Sequence, residues 1–344
     1  MSTLLHIHPE WLQRVLRVLS NVLVGFFVCY LFGAIFYDGP LGQANVWNGL
    51  LAAVWFVCFF ILWRRVEERW KKLLVALVAC LIVYVPWSMV GPSNDKNWAQ
   101  DFEKTGWVEV ADDEIIFYNF RDFDYTKGAD GAWEVNPLWR TKTVHLSKLQ
   151  GMDIFHDRFL GNFMAHPILS FDFGDEGHVC LSIETRREEG ETFSPIGGLY
   201  KMFELQYLFT TETDAVRVRT NVREEPVFLY KSALSTKKIR DLFLSSVVVQ
   251  NELKENPQYY HVLNANCTIS IRNQYPKSER SPFDIRMLVN GLLDEYLYEK
   301  GVFVSEGLSY EELRDACHIN AVAREAHSAP DFSKLIRVGR PGQN

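Results

Sequence analysis

The sequence is poor in the features that most directly announce a function. Six cysteines are spread over 344 residues, and no two stand in the CxxC spacing that a zinc site or redox pair uses. Cys29, Cys58 and Cys80 fall in apolar runs. That leaves Cys180, Cys267 and Cys317, an odd number that argues against a disulfide framework and permits at most a Cys180–Cys317 bridge. Cys317-His318 resembles half of a metal site with no second half, so no metal is expected. GxGxxG, P-loop, HExxH and GxSxG patterns are all missing, and no cofactor is expected either. The net charge of −7 is mildly acidic, with no basic stripe, which argues against a nucleic-acid partner. There is no internal repeat and no low-complexity tract.

What is present begins with apolar length. Val18 to Tyr37, Trp47 to Trp63 and Leu73 to Val90 carry almost no charge and approach the roughly 17–25 residues of a membrane helix. Asp38-Gly39-Pro40 after the first run is a turn and not a small-residue cleavage site, so the run is read as retained. Ahead of it, Pro9-Glu10 starts an amphipathic helix with Trp11, Leu12, Val15, Leu16 and Leu19 on one face and Arg14 and Arg17 opposite, as in an interfacial segment. Arg14 and Arg17 precede the first span, while Arg64, Arg65, Arg69, Lys71 and Lys72 crowd the loop before the third. By the positive-inside rule the N-terminus is cytoplasmic, and everything beyond Val90 is exported. In a bacterial cell this is an inner-membrane protein with a periplasmic domain.

The expected organisation is a membrane anchor over 1–92, a folded domain over 93–327 and a flexible tail over 328–344. Trp107–Val110 and Glu114–Phe120 read as a hairpin turning at Asp112-Asp113, followed by a loop from Arg121 to Trp133. Further strands are expected at Arg140–Leu146, Met152–Arg158, Ala165–Phe173, His178–Thr185, Leu205–Thr210, Ala215–Thr220 and Val227–Tyr230. A helix over Thr236–Lys254, capped by Ser235, carries an apolar stripe from Ile239 to Leu253. Another is expected over Phe283–Lys300 and a last one after Ser309. Many strands packed by a few helices make an α+β domain.

The stretch Tyr259 to Arg272, YYHVLNANCTISIR, is where chemistry concentrates. Pro257 stops the preceding helix and Asn266 is placed to cap a new one, which sets Cys267 at its first position. There the sulfur meets unpaired backbone N–H groups with partial positive charge, a setting that favours a thiolate nucleophile. The same residue equally fits a small, inert, buried side chain. A thiol nucleophile needs a base. His166, near the start of a strand in AHPILSFDF, is the candidate. Ser182 and Glu184 follow one strand later on a shared face, either one able to orient the ring. His156, His178 and His261 are rivals. The aromatic-rich segments Phe117–Phe123 and Tyr200–Phe209 either line such a site or pack the core.

Together these residues form a pattern. IFYNFRDFDY (Ile116 to Tyr125), AHPILSFDF, LSIETRREEGETFSPIGG (Leu181 to Gly198) and NANCT (Asn264 to Thr268) resemble, in order, the family named for the N-terminal periplasmic domain of the lipoprotein N-acyltransferase Lnb. The resemblance implies a circularly permuted papain-like fold, an antiparallel sheet plus helices, in which histidine precedes cysteine. It is related to the lecithin:retinol acyltransferase group. It further implies Cys267 as nucleophile, His166 as base, and Glu184 as orienter with Ser182 as runner-up. After the cysteine the related group has an acidic residue and a histidine where this chain has Thr268 and Ile269, a departure that bears on the acceptor and not on the nucleophile. The activity implied is transfer of a fatty acyl group from a phospholipid donor to the N-terminal amine of a lipoprotein, or to another amine. A thiol amidase or peptidase acting on envelope peptides, and a non-catalytic envelope binding protein, are the alternatives.

Overall fold

The computed structural model of the chain describes residues 9–42, 44–161 and 163–343. The first eight residues assigned to the anchor and the last residue of the expected tail lie outside these. The chain divides into two compact units. One comprises the segment up to Pro92 together with Ser194–Met202, and the other comprises Ser93–Phe193 and everything from Phe203 onward.

The first unit is built on α1 (Pro9–Asp38), α2 (Val46–Arg65) and α3 (Arg69–Met89). All three are long and apolar enough to cross a membrane. The amphipathic lead-in and the first span form one continuous 30-residue helix, because no proline or capping signal separates them. Asn45 caps α2, its side chain accepting from the backbone N–H groups of Trp47 and Asn48 at 2.9 and 3.0 Å. Within this unit Tyr200 stacks between Tyr30 and Tyr37, with ring centroids 5.0 and 5.1 Å away. The close approach requires a glycine at position 33, since a Cβ there would meet the Tyr200 hydroxyl. The Lys201 ammonium donates to the carbonyls of Trp87 and Val90 at 2.7 and 2.6 Å, partnering acceptors that the end of α3 leaves open.

The second unit is α+β. Its strands are β1 (Trp107–Ala111), β2 (Glu114–Arg121), β3 (Asp124–Lys127), β4 (Trp133–Asn136), β5 (Trp139–His145), β6 (Gly151–Phe159), β7 (Met164–Asp172), β8 (His178–Arg186), β9 (Glu204–Thr210) and β10 (Val227–Lys231). Eight of them form one sheet in the order β1-β2-β9-β8-β7-β6-β10, with β5 also on β2. Every pairing is antiparallel except that of β2 with β9, which meet in parallel at Arg121 and Thr210. The segment from Arg121 to Trp133, expected as a loop, contributes β3, which pairs with β4 in a separate hairpin. Its Gly128-Ala129-Asp130-Gly131 turn hid the pairing, because the flanking strands are only four residues long.

Helices cover both faces of the sheet: α4 (Glu212–Arg217), α5 (Thr236–Glu255), α6 (Cys267–Gln274), α7 (Leu293–Glu299), α8 (Tyr310–Ala316), α9 (Asn320–Glu325) and α10 (Phe332–Leu335). On one face Phe155, Ile168, Cys180 and Leu229 pack against Ala215 and Val216 of α4, Ile319 and Ala323 around α9, and Phe332 of α10. Phe171, which points to the other face by strand alternation, meets Phe243 of α5, as do Phe117 and Phe209. Cys180 and Cys317 are both buried free thiols, so no bridge joins them.

Three expectations need correction. Ala215–Thr220 is helical, not a strand. Its alternation of Val and Arg mimics a strand, but Thr211 caps a helix by accepting from the Asp214 backbone N–H at 3.3 Å. Asp214 is then fixed by Arg121, the Phe123 N–H and the Tyr125 hydroxyl. Phe283–Lys300 is helical only from Leu293. Before that, single turns at Ile285–Met287 and Asn290–Leu292 direct their backbone groups elsewhere, with the Gly291 N–H donating to the Phe163 carbonyl at 3.2 Å. The tail is folded from Ser328 at least as far as Arg337. Phe332 and Ile336 are fully buried, and Arg337 forks onto Asp153 and Glu212 at 2.6 to 2.9 Å.

Phe332→Ala should therefore lower stability by about 3–5 kcal/mol, as for other fully buried rings. Denaturation of the purified protein measures this, and an unchanged midpoint would mean that the C-terminal segment only hangs from the domain.

Candidate active site

Helix α6 opens as the sequence indicates. Asn266 sits in extended conformation with its side-chain oxygen accepting from the Ile269 N–H at 2.8 Å, while its amide donates to the Val262 carbonyl at 2.7 Å. Cys267 is the first helical residue and is 5% exposed. It lines a cavity of about 290 Å³ with His166 and Glu184. The sequence-predicted nucleophile, base and orienter are therefore brought together from α6, β7 and β8.

His166 Nε2 lies 2.7 Å from the Ser182 hydroxyl, which donates to Glu184 Oε1 at 2.5 Å, and Glu184 Oε1 is itself 3.4 Å from Nε2. Ser182 and Glu184 are thus not alternatives. The ring donates to the hydroxyl and the hydroxyl donates to the carboxylate, a two-step relay, and the ring also hydrogen-bonds the Cys267 thiol. Burial opposes a charge on His166, but the Glu184 carboxylate and hydrogen bonds to Cys267 and Glu184 outweigh it and raise the pKa to about 10. Burial likewise pushes Glu184 up, yet the charge and hydrogen bond of His166 and the charge of Arg219 hold it well below the ordinary carboxylate range. The pair is an imidazolium facing a carboxylate.

Three residues at this site escaped the sequence reading. Arg219, 3% exposed, places its guanidinium 2.9 Å from Glu184 Oε1 and 3.0 Å from Asp157 Oδ2. It lay in the run mistaken for a strand. Asp157 stands opposite His166 in the β6–β7 register, and burial raises its pKa despite Arg219. Asn290 touches the sulfur through Nδ2 at 3.5 Å, while its Oδ1 accepts from the Ala165 N–H at 2.8 Å. The helix expected across Phe283–Lys300 concealed it. A signal was available in Asn290-Gly291, a turn dipeptide inside a supposed helix.

The rival histidines lie outside the cavity. His156 is buried and donates through Nε2 to the Asn290 carbonyl at 3.0 Å. His178 belongs to the start of β8, 3.9 Å from Asp172, and His261 accepts from the Leu263 N–H within its own turn. The rings at Phe117–Phe123 pack the core, and the cavity's aromatic walls come instead from Phe159, Phe193 and Tyr260. Among the described residues no three His, Cys, Asp or Glu side chains gather as a metal would require.

Residues 136–291 match the family model described as the Lnb N-terminal periplasmic domain, the family that the sequence motifs resemble. The match contains every residue of the thiol site named above, from Asp157 to Asn290. With its three membrane-length helices, the chain is a membrane-anchored protein with a periplasmic domain. Neither the curated proteins nor the solved structures contain a match to the chain.

The ion pair makes stability depend on pH. His166 is raised from 6.5 to about 10, so its contribution is complete below about pH 6.5 and is lost as pH climbs through about 10. Glu184 is depressed, so its share is present above its ordinary value of 4.5 and lost as pH falls through its lowered value. Denaturation midpoints should fall between pH 6.5 and 10 in the wild type. In His166→Gln that slope should flatten, and an unchanged slope would show that His166 is not the titrating group.

Proposed function

We propose that this chain is a membrane-anchored cysteine acyltransferase that moves a fatty acyl group from a phospholipid, through a Cys267 thioester, to the N-terminal amine of a lipoprotein. The observation that carries this reading is a thiol at a helix start beside His166, whose ring is held by Ser182 and Glu184, in a domain tethered to a bilayer. The histidine-before-cysteine order fits a circularly permuted papain-like arrangement. The charge bias around the spans supports a cytoplasmic N-terminus and a periplasmic thiol site at the inner membrane of a bacterium.

In the proposed reaction the Cys267 thiolate attacks the ester carbonyl, and the protonated His166 supplies the proton to the departing lysophospholipid oxygen. The Cys267 backbone N–H and Asn290 Nδ2, the latter 3.5 Å from the sulfur, would stabilise the oxyanion. The acceptor amine then attacks the thioester, His166 takes its proton, and the thiolate leaves to restore the ion pair. Glu184 and Ser182 keep the ring oriented throughout, and Arg219 keeps Glu184 ionised.

A second reading has its own support. Asp157, Arg219, Arg223 and Glu225 make one wall of the cavity charged, with burial and the Asp157 charge pushing Glu225 up to about 7. Such a wall suits a polar peptide, as in a thiol amidase of the envelope.

Intact mass spectrometry of the protein incubated with a defined phospholipid and a diacylated lipopeptide separates these readings. A fatty-acyl increment on the wild type, labile to hydroxylamine and absent from Cys267→Ser, is the expected result. An acyl shift on the lipopeptide without phospholipid would place the donor in the lipopeptide itself. No adduct and no acyl transfer, with peptide cleavage instead, would overturn the acyltransferase reading. Glu184→Gln should lower kcat about 10- to 1,000-fold with little change in KM, as expected for a group that holds the base.

A further inference from the structure

The catalytic domain contains a second cavity, about 220 Å³, that shares no lining residue with the thiol site. Its walls include Ile154, Leu169, Leu234, Ile271, Met287 and Leu297, from β6, β7, the residue before the cap of α5, α6, the segment leading into α7, and α7 itself. Two of its other lining residues are polar and buried. Thr268 is 7% exposed and Tyr296 is 4% exposed, and neither hydroxyl has a hydrogen-bond partner among the described residues. A buried hydroxyl left unpaired is unfavourable, and because both residues line the same apolar cavity, the oxygens of a ligand entering it are the acceptors nearest at hand. Lys238 and Arg272 also line this cavity, Lys238 being exposed and Arg272 using its Nε for the Ser281 carbonyl.

We infer that this cavity binds a single acyl chain whose carboxylate or ester oxygens accept from Thr268 and Tyr296. The apolar walls take the methylenes, the two hydroxyls take the acceptor oxygens, and Lys238 and Arg272, set against the single carboxylate Glu279, leave the charged lining net positive for a negative head. A free fatty acid and a lysophospholipid both have this chemistry. The inference goes beyond the proposed reaction and does not need it. It places the bound chain beside that reaction, because Thr268 directly follows Cys267 and Pro167, another lining residue, directly follows His166. A chain in this cavity lies against the backbone that carries the nucleophile and its base.

The test uses the full-length Cys267→Ser protein in nanodiscs, so that no thioester can form. Two photoreactive probes are compared, a diazirine-labelled palmitic acid and a diazirine-labelled palmitoyl lysophosphatidylcholine, with attachment sites mapped by peptide mass spectrometry. Labelling of peptides containing Leu234 and Ile271 is expected. It should fall about tenfold in Leu234→Trp, which fills the space, and severalfold in Thr268→Val with Tyr296→Phe, which removes the donors while keeping shape. Lys238→Glu should weaken the fatty acid more than the zwitterionic lysolipid if the free acid is the natural occupant, and should weaken neither selectively if the lysolipid is. Melting curves confirm that each variant is folded. Labelling confined to α1, α2 and α3, or labelling of Leu234 and Ile271 peptides that survives both Leu234→Trp and the double hydroxyl variant, overturns the inference. Loss of thioester formation in the wild type leaves this result untouched, so the two readings fail separately.

Discussion

The second unit depends on a buried charge that it cannot discard. Arg219 is 3% exposed, and a guanidinium in that position is tolerable only because Asp157 and Glu184 stand within 3.0 Å of it. Those partners come from β6 and β8, so the ion pairs fasten the helical stretch after α4 to two strands of the sheet. The same balance extends one residue further. Two cations, Arg219 and the His166 imidazolium, share Glu184, and removing either leaves the carboxylate less compensated. Structure and candidate chemistry therefore rest on one electrostatic arrangement, which is why the ionisation of His166 is tied to fold stability as well as to reactivity.

A second constraint comes from Asn290. One side chain reaches both the Ala165 N–H, next to His166, and the Cys267 sulfur, while the backbone carbonyl of the same residue accepts a hydrogen bond from His156 Nε2. It therefore ties the start of β7 to the start of α6. For Asn290 to do this, the chain around it has to abandon the helix that its apolar spacing suggests. Local propensity loses to three hydrogen bonds made elsewhere, a common outcome where a site must be held from several elements.

These two residues also show where the sequence was legible. Cys267, His166, Ser182, Glu184 and Asn266 were all candidates, because each belongs to a local pattern, a cap followed by a thiol or alternate positions on a strand, while it was the family resemblance that set His166 above its rivals. The three membrane helices and the long α5 were legible for the same reason, through sustained apolar length or period. Arg219 and Asn290 were not legible. Their roles come from partners at least 23 residues away in the chain, and in both cases a misleading local period covered them. The Ser182–Glu184 relay was half legible, since alternation places both on one face but only the fold shows that the hydroxyl lies between ring and carboxylate. The C-terminal segment looked loose because it has no period, yet Phe332, Ile336 and Arg337 need only a few contacts each to fix it.

The charged wall of the thiol cavity bears on how transfer would compete with hydrolysis in the proposed reaction. Water attacks a thioester best where a base is free to activate it. Here His166 is engaged through Nε2 with Ser182, and Glu184 through Oε1 with Ser182 and Arg219. An amine acceptor differs from water in needing no general base to be nucleophilic once neutral, only a place to leave its proton. In the proposed reaction His166, having given its proton to the departing lysophospholipid, is that place. The remaining carboxyls, Asp157 and Glu225, are both raised by burial, Glu225 to about 7. Both line the cavity beside Arg219 and Arg223, so the wall that an incoming amine meets pairs acidic with basic groups.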